Sequence, residues 1–293
     1  MQSHNFTPTP LNDLTIDAGI FRAYDIRGIT SSNLTEHVCY WVGRAFAAEA
    51  LVKQQRAAVI GRDGRLSSPG IEQALGQGLL DGGMHVTSIG QVPTPVLYYA
   101  THALQTGTGI MITGSHNPPE YNGLKMMIGG VTLAEDLIQA LFRRLQNTDL
   151  STGEGTFAQA DMGQQYIDAA LATTTLHRPL RVAVDCGNGV AGELAPKLMS
   201  ALGCEVIPLF CEIDGNFPNH HPDPAEPENL QDLVAAVTQH SAHIGLAFDG
   251  DGDRLGVITP RGEIIWPDKL MMLFAQDIIG RNPNTPVIFD VKC

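Results

Sequence analysis

The sequence predicts an α/β protein made of tandem, duplicated α/β domains with mixed, mostly parallel sheets. Strand-like and helix-like segments alternate through the first half of the chain, which is typical of an α/β domain. A similar order of strand, turn, helix and strand recurs after residue 180, which indicates an internal duplication. The 293 residues also exceed a comfortable single core, so we expect about two complete domains.

Capping and periodicity locate the elements of the first domain. Asn33-Leu34-Thr35-Glu36 has the form of a capping box, in which Asn33 accepts from the first-turn amides and Glu36 reaches back. Apolar residues follow at helical spacing, so a helix facing the core is predicted there. The other predicted elements are strands at 57–61, 85–89 and 109–112 and a helix after Pro69.

The second half repeats the pattern and then begins a third unit. Residues 151–156 are polar and Gly-rich, so we predict a linker there and domains over 10–155, 156–261 and 262–293. The predicted elements are strands at 181–185, 205–208, 244–247 and 255–258, helices over 194–202 and from Pro267, and a final strand at 287–291.

Charge and cysteine usage limit the partners and the compartment. A net charge of −13 with 18 Lys and Arg argues against nucleic acid and anionic membranes, which both require a basic surface. The N-terminus lacks the regions of a signal peptide, and no apolar run approaches the roughly 20 residues of a spanning helix. We therefore expect a cytoplasmic protein. Its scattered, odd-numbered cysteines are expected to be reduced thiols: Cys39, Cys186, Cys204, Cys211 and Cys293.

A serine follows the apolar run at 109–112, within residues 113–119 (TGSHNPP). This order predicts a strand that delivers the hydroxyl of Ser115 onto an exposed loop. A serine-hydrolase elbow would need Gly-x-Ser-x-Gly, but positions 113 and 117 are Thr and Asn. A phosphoryl-accepting serine needs nearby cations and a metal instead. Lys125 could return across a hairpin toward the serine, or be a solvated strand lysine.

Three carboxylates stand within five residues between two apolar runs, at Asp249, Asp251 and Asp253. Carboxylates this close repel one another unless a cation binds or water screens them. An EF-hand would need Gly at 254 and Glu at 260, which are Arg and Pro. Oxygen ligands without His or Cys favour Mg²⁺ over zinc. Together with the serine, the triad suggests phosphoryl transfer.

Two further motifs could each form a ligand site or have only a structural role. Residues 187–192 (GNGVAG) match Gly-x-Gly-x-x-Gly between a predicted strand and helix, but such turns also arise wherever a strand reverses tightly into a helix. We favour the structural interpretation over a dinucleotide site. The adjacent His220 and His221 favour a fixed loop over a ligand pair, because neighbouring side chains of an extended chain point to opposite sides.

Three motifs together resemble the α-D-phosphohexomutase family, most closely its bacterial mannose- and glucose-type members. They are residues 21–28 (FRAYDIRG), 113–119 and 249–254 (DGDGDR), and residues 216–224 resemble the second-domain loop of that subgroup. The resemblance implies an isomerase that interconverts hexose 1-phosphates and hexose 6-phosphates of mannose, glucose or both. A hexose 1,6-bisphosphate is the implied intermediate and activator, and the phosphosugar is the implied substrate.

The resemblance also implies roles for individual residues. Ser115 would carry the phosphoryl group and share Mg²⁺ with Asp249, Asp251 and Asp253. Arg27 and Lys125 would stabilise charge and assist proton transfer beside it, and His116 would orient the loop and assist the site. The residues implied to face the substrate are Tyr24, Arg254 and Lys292.

The family builds one cleft from four domains, and this chain stops early in the third. We therefore expect a truncated third domain, an absent fourth domain and little or no turnover by this chain alone. Phosphoglucosamine mutase is the nearest alternative within the family. Outside it, a NAD-dependent oxidoreductase using the Gly187 turn and a non-catalytic metal-binding α/β protein remain open, as does the oligomeric state.

Overall fold

The computed structural model describes residues 6–289, in which two mixed α/β sheets follow one another along the chain. The strands are β1 (Ile26–Ile29), β2 (Ala57–Arg62), β3 (His85–Gln91), β4 (Gly109–Ile112), β5 (Tyr121–Ile128), β6 (Val131–Thr132), β7 (Phe157–Gln159), β8 (Arg181–Asp185), β9 (Glu205–Leu209), β10 (Ile244–Phe248), β11 (Leu255–Ile258) and β12 (Ile264–Ile265). The helices are α1 (Glu36–Val52), α2 (Ser68–Asp81), α3 (Thr94–Ala103), α4 (Asp136–Gln146), α5 (Gly163–Thr173), α6 (Ala195–Ala201), α7 (Gln231–Gln239) and α8 (Pro267–Arg281).

The two sheets share one connection pattern, which supports the predicted duplication. The first sheet has the order β1-β5-β4-β2-β3-β7, with β6 on β5, and the second has the order β12-β11-β10-β8-β9. In both, a β-α-β-α-β unit with parallel pairing is followed by an antiparallel hairpin, β4–β5 in the first and β10–β11 in the second. The predicted α/β class with mixed sheets is confirmed.

Each sheet is buried on both faces because its helices lie on both sides. In the first sheet, Ile60 packs toward the core that contains α1, α2 and α4, while its neighbour Val59 packs toward α3. In the second sheet, Ala183 packs with α7 and Val182 with α6. Alternate residues of one strand therefore serve two cores, which explains why the strands read as continuous apolar runs.

The predicted capping residue of α1 is wrong. Thr35, not Asn33, caps the helix: its side chain accepts from the amide of Val38 at 3.3 Å. The side chain of Asn33 instead accepts from the amide of Ile29 at 2.8 Å. The helix begins at Glu36, so Thr35 is the residue that can reach the first-turn amides, while Asn33 lies two residues too early.

The polar stretch at 151–156 packs against the end of α2. The amides of Gly153 and Gly155 donate to the carbonyls of Asp81 and Leu80 at the end of α2, both at 2.9 Å. The chain then pairs with β3 as β7, so the first sheet extends to Gln159, past the boundary predicted at residue 155. Glycine permits this close backbone approach, and composition alone does not distinguish it from a flexible link.

The predicted third unit begins with the expected helix α8. The strand predicted over 287–291 is not formed by residues 287–289, and the remainder, with Lys292 and Cys293, lies outside the described residues. A strand requires a partner, and residues 287–289 pair with no other described strand. No helix in the described part of the chain has the length and apolar character needed to cross a membrane.

Candidate active site

The serine loop joins β4 to β5 at the carboxyl end of β4. Ile112 pairs with Leu124 across this hairpin, so the loop is anchored on both sides. Ser115 has a φ of 49°, which lies in the left-handed region that a non-glycine residue rarely adopts. Its amide donates to the hydroxyl of Thr113 at 2.7 Å, which helps to hold this conformation. Such a backbone is found where the surrounding structure fixes a functional residue.

The side chain of Arg65 holds this loop in place through hydrogen bonds. This residue was not predicted from the sequence. The side chain is fully buried, with its Nε 3.3 Å from the carboxylate of Asp63. The same carboxylate of Asp63 accepts from the amide of Gly114 at 2.9 Å. The guanidinium donates to four carbonyls of the loop and its end: Ser115 (2.8 Å), Asn117 (2.6 Å), Pro118 (2.6 Å) and Tyr121 (3.0 Å).

The acidic loop occupies the equivalent position in the second sheet, between β10 and β11. Phe248 pairs with Leu255 at its base, as the apolar runs on both sides predicted. Asp249 closes the loop because one of its oxygens accepts from the amides of Asp253 and Arg254 at 3.0 and 3.1 Å. The duplicated hairpins therefore carry the two chemical motifs of the chain on matching loops.

The two loops meet at Ser115 and Asp249. The serine hydroxyl donates to the carboxylate of Asp249 at 2.9 Å, across 134 residues of sequence. The neighbouring Gly250 fits so closely that a Cβ there would lie 2.4 Å from the Ser115 carbonyl. The prediction of an exposed serine is therefore wrong: Ser115 is 2% exposed, because the acidic loop of the second domain covers it.

Lys125 reaches the acidic loop rather than the serine hydroxyl. Its ammonium contacts Asp251 at 2.7 Å and Asp253 at 2.5 Å. Thr94 at the start of α3 donates to the same oxygen of Asp251 at 2.5 Å. Although burial opposes its charge, the two carboxylates raise the pKa of Lys125, so the lysine stays cationic. One strand lysine thus neutralises part of the cluster.

Burial and mutual repulsion set the protonation of the triad. Burial, followed by the charges of Asp251 and Asp253, raises the pKa of Asp249 to about 8. For Asp251, burial also favours the neutral form, but the ammonium of Lys125 outweighs it and lowers the pKa. A positive ion among the carboxylates would remove the penalty on Asp249.

The acidic cluster has the donors that a hard divalent cation requires. One oxygen from each of Asp249, Asp251 and Asp253 lies within 4.8 Å of the others, and this is the only such cluster among residues 6–289. One oxygen of Asp251 is buried without a hydrogen-bond partner, which is unusual for a carboxylate. All-oxygen donors with an unsatisfied acceptor fit Mg²⁺ better than zinc.

Most of the remaining predicted site residues line one cleft of about 560 Å³ around the serine loop. Arg27 is buried there and donates to the carbonyl of Thr113 at 2.9 Å, while Asp25 pairs with its other side at 2.6 Å. Tyr24 is 74% exposed at the rim. The predicted residues that share this cleft are Tyr24, Arg27, Ser115, His116, Lys125, Asp253 and Arg254.

His116 connects the serine to the rim of the cleft. Its Nδ1 lies 3.3 Å from the Ser115 hydroxyl, and its Nε2 lies 3.4 Å from the guanidinium of Arg254. Burial and then the charge of Arg254 lower the pKa of His116, so the ring is neutral near pH 7. The His116 carbonyl receives a hydrogen bond from the ring of His221 in the second domain.

The two adjacent histidines have separate structural partners, in agreement with the interpretation as a fixed loop. The His220 ring contacts both oxygens of Asp185 at 3.1 Å, whereas His221 reaches across to the serine loop. The carboxylate of Asp185 raises the pKa of His220, although burial opposes that charge. Neither histidine belongs to a cation cluster in the described part of the chain.

The Gly187 turn has a structural role, because its glycines pack closely against neighbouring backbone. Residues 187–192 are all buried, which leaves no open face for a dinucleotide pyrophosphate. A Cβ on Gly192 would lie 2.0 Å from the carbonyl of Cys211, and one on Gly189 would lie 3.0 Å from that of Gly250. The amide of Val190 donates to the Gly250 carbonyl at 3.2 Å, so the turn supports the acidic loop.

Tandem α/β domains that bring a serine against a cluster of three carboxylates define the α-D-phosphohexomutase class. The chain belongs to the phosphoglucomutase/phosphomannomutase family. Residues 18–152 match that family's alpha/beta/alpha domain I, and residues 164–262 match its domain II. The resemblance seen in the sequence is thereby confirmed, and the nicotinamide-dependent alternative loses its main support.

Individual relatives agree with this assignment. A phosphomannomutase/phosphoglucomutase of Pseudomonas aeruginosa is 54% identical over 279 residues, which cover 95% of this chain and 60% of the relative. A phosphoglucomutase of Neisseria gonorrhoeae is 52% identical over 95% of this chain and 61% of its own length. The crystal structure of a family member from Burkholderia thailandensis has a TM-score of 0.92 and 48% identity, over 95% of this chain and 63% of that one. The chain therefore spans about 60% of the length of these curated relatives.

Proposed function

We propose that the complete protein interconverts hexose 1-phosphates and hexose 6-phosphates of mannose, glucose or both, with Ser115 as the phosphoryl carrier. The single observation that carries this proposal is the contact between the Ser115 hydroxyl and Asp249 of the acidic triad. The names of the similar relatives, phosphomannomutase/phosphoglucomutase and phosphoglucomutase, support the substrate class. The phosphosugar is the proposed partner, and the cytoplasm is the proposed compartment.

The reaction would consist of two transfers of the same kind. In the first, the bond between phosphorus and Oγ of phosphorylated Ser115 breaks while a new bond forms to a sugar hydroxyl, whose proton passes to a base. The product is a hexose 1,6-bisphosphate. In the second, the bond between the other phosphorus and its sugar oxygen breaks, that oxygen takes up a proton, and a new bond forms to Ser115 Oγ, whose proton passes to a base. The neutral ring of His116, 3.3 Å from the hydroxyl, fits the base of this second step.

Mg²⁺ fits the oxygen atoms of Asp249, Asp251, Asp253 and the group carried by Ser115. When bound there, it would neutralise charge on the transferring phosphoryl group. The chain supplies further positive charge of its own. Lys125 lies against the acidic loop and Arg27 beneath the serine loop, where both would stabilise the charge of a bound phosphoryl group.

The rim of the cleft is proposed to hold the sugar phosphate. Arg254 is exposed there beside His116, which leaves its guanidinium available for a phosphate. Tyr24 faces the same space. Lys292 keeps its proposed role, and it lies outside the described residues. The chain spans about 60% of the length of its curated relatives, and low turnover by this chain alone is part of the proposal.

Activity is tested by joining this chain to the third and fourth domains of the Pseudomonas aeruginosa relative. We expect the fusion to convert glucose 1-phosphate and mannose 1-phosphate to their 6-phosphates when Mg²⁺ and a trace of glucose 1,6-bisphosphate are present. Ser115→Ala should reduce the rate at least about 10³-fold, because it removes the carrier atom. A folded fusion without activity on either sugar, or one whose Ser115→Ala variant keeps its rate, would contradict the proposal.

A further inference from the structure

Two cysteines stand side by side just beyond the ends of two neighbouring strands of the second sheet. Cys186 follows β8 directly, and Cys211 follows the neighbouring parallel strand β9 by two residues. Adjacent strands lie about 4.8 Å apart, which is the separation that a disulfide bridges. The two sulfur atoms are 3.7 Å apart, and both cysteines are free thiols.

The pair differs from the other described cysteines in its environment. Cys211 is partly exposed, whereas Cys186 is fully buried behind it. The neighbouring thiol of Cys186 lowers the pKa of Cys211, since it can donate to the thiolate. Burial instead raises the pKa of both Cys39 and Cys204. Cys211 is therefore the thiol that an oxidant reaches first.

We propose that Cys186 and Cys211 form a redox-active thiol pair that a peroxide converts reversibly to a disulfide. The Cys211 thiolate attacks one peroxide oxygen, so the O–O bond breaks, Cys211 becomes a sulfenic acid and hydroxide leaves. The sulfur of Cys186 then attacks Cys211: the S–S bond forms, the S–O bond breaks, and the hydroxide takes the Cys186 proton as water. Two thiols are oxidised, and one peroxide is reduced to two waters.

The pair lies in direct contact with the turn that supports the acidic loop. The Cys186 carbonyl accepts from the amide of Gly189 at 2.6 Å, and the Cys211 carbonyl packs against Gly192. The same turn bonds Gly250 through Val190. Forming the bond brings the sulfurs from 3.7 Å to about 2.0 Å, so both segments must shift toward each other. Oxidation at this pair therefore acts on the support of the cation site.

Peptide mapping of this chain tests the proposal without any variant. The reduced protein is exposed to graded hydrogen peroxide, remaining thiols are blocked with N-ethylmaleimide, and the protein is digested without reductant. We expect a linked peptide that contains Cys186 and Cys211, two hydrogens lighter than its parts, which disappears after dithiothreitol. Peroxide that oxidises Cys211 only to sulfinic or sulfonic acid, with no bridge at any dose, would overturn the proposal.

Variants assign the order of events. Cys186→Ala should abolish the bridge and leave a sulfenic acid on Cys211, trapped by dimedone. Cys204→Ala is the matched control, because Cys204 is also partly exposed in the same domain, and it should leave the yield of the bridge unchanged. Loss of the bridge in Cys204→Ala, or dimedone labelling of Cys204 in place of Cys211, would contradict the assigned pair.

Discussion

Arg65 is the residue on which the serine loop depends most. Replacing it with lysine keeps one charge but removes the planar fork that reaches four carbonyls. The buried Asp63 would also lose its close partner. We expect Arg65→Lys to lower the free energy of unfolding by about 3 kcal/mol, since breaking a buried pair leaves polar groups unsatisfied. Urea denaturation measures the change.

Arg62 is the matched control for this substitution. It lies three residues earlier and pairs with Glu72 at 2.9 Å, but both side chains are partly exposed. Arg62→Lys should therefore change the free energy of unfolding by less than about 1 kcal/mol. Equal effects of the two substitutions would show that Arg65 does not organise the loop.

The His220 contact with Asp185 predicts a pH dependence of stability. The pKa of His220 is raised in the folded protein, so its contribution to stability is complete below its unfolded value of about 6.5. That contribution is lost as the pH rises through the folded pKa. We therefore expect the stability difference between the wild type and His220→Gln to shrink from pH 6 toward pH 9. A difference that grows over this range would have the wrong sign.

The roles of single residues were predictable where a short stretch of sequence forms a recognisable motif. Ser115 and the acidic triad stand in short motifs, and the structure brings them together. Arg65 and Thr94 were missed, because their partners lie 50 and 157 residues away. His221 was assigned to a fixed loop, but its contact with the serine loop, 105 residues away, was not predicted. A weak signal existed for Arg65: it lies within the turn between β2 and α2, which corresponds to the Gly187 turn in the duplicated unit.

At the scale of elements, the two β-hairpins determine where the chemistry lies. The β4–β5 and β10–β11 loops occupy matching positions in the duplicated units, so one connection pattern explains both the serine loop and the acidic loop. The pattern of strands and helices was predictable because the buried strands read as short apolar runs between turn residues, whereas helix α1 repeats apolar residues at helical spacing. The wrong cap at Asn33 and the packing of residues 151–156 on α2 both arise from hydrogen bonds, which composition does not reveal.

The Gly187 turn gives a prediction at this scale. Gly192→Ala places a Cβ 2.0 Å from the carbonyl of Cys211, which is backbone and cannot move aside. We expect a loss of about 1–3 kcal/mol in the free energy of unfolding, measured by urea denaturation. Gly280→Ala in α8 is the control, since no atom lies within 4 Å of its Cβ position, and it should be neutral or slightly stabilising. A neutral Gly192→Ala would restore the possibility that the motif serves a ligand.

At the scale of the whole molecule, the site exists only because two domains meet. The first domain supplies Ser115, Lys125 and Thr94, and the second supplies the acidic loop they contact. The sequence could predict which residues carry the chemistry, but not that the second domain buries the serine. That burial results from the packing of Gly250 on the serine loop, a contact between distant segments.

Cation binding at the contact between the serine loop and the acidic loop should stabilise the whole chain against unfolding. Mg²⁺ at about 100 times its dissociation constant should add about 2.7 kcal/mol to the free energy of unfolding. Asp253→Asn should remove most of that gain, because it removes a carboxylate of the cluster. Thermal denaturation with and without Mg²⁺ measures both.

Asp277→Asn is the control for that experiment, because Asp277 is exposed on α8, pairs with Arg281 of the same helix and lies outside the acidic cluster. It should keep the full response to Mg²⁺. An unchanged wild-type transition at saturating Mg²⁺, or equal responses of all three proteins, would contradict a cation site at the triad.

The central claim is that Ser115 carries the phosphoryl group, and intact-protein mass spectrometry with peptide mapping tests it most directly. The chain is measured as purified and after incubation with glucose 1,6-bisphosphate and Mg²⁺, beside Ser115→Ala and beside the four-domain fusion. We predict one phosphate on Ser115, present at the start or gained on incubation, and none on the Ser115→Ala variant. A folded fusion in which Ser115 stays unmodified under both conditions would contradict the account.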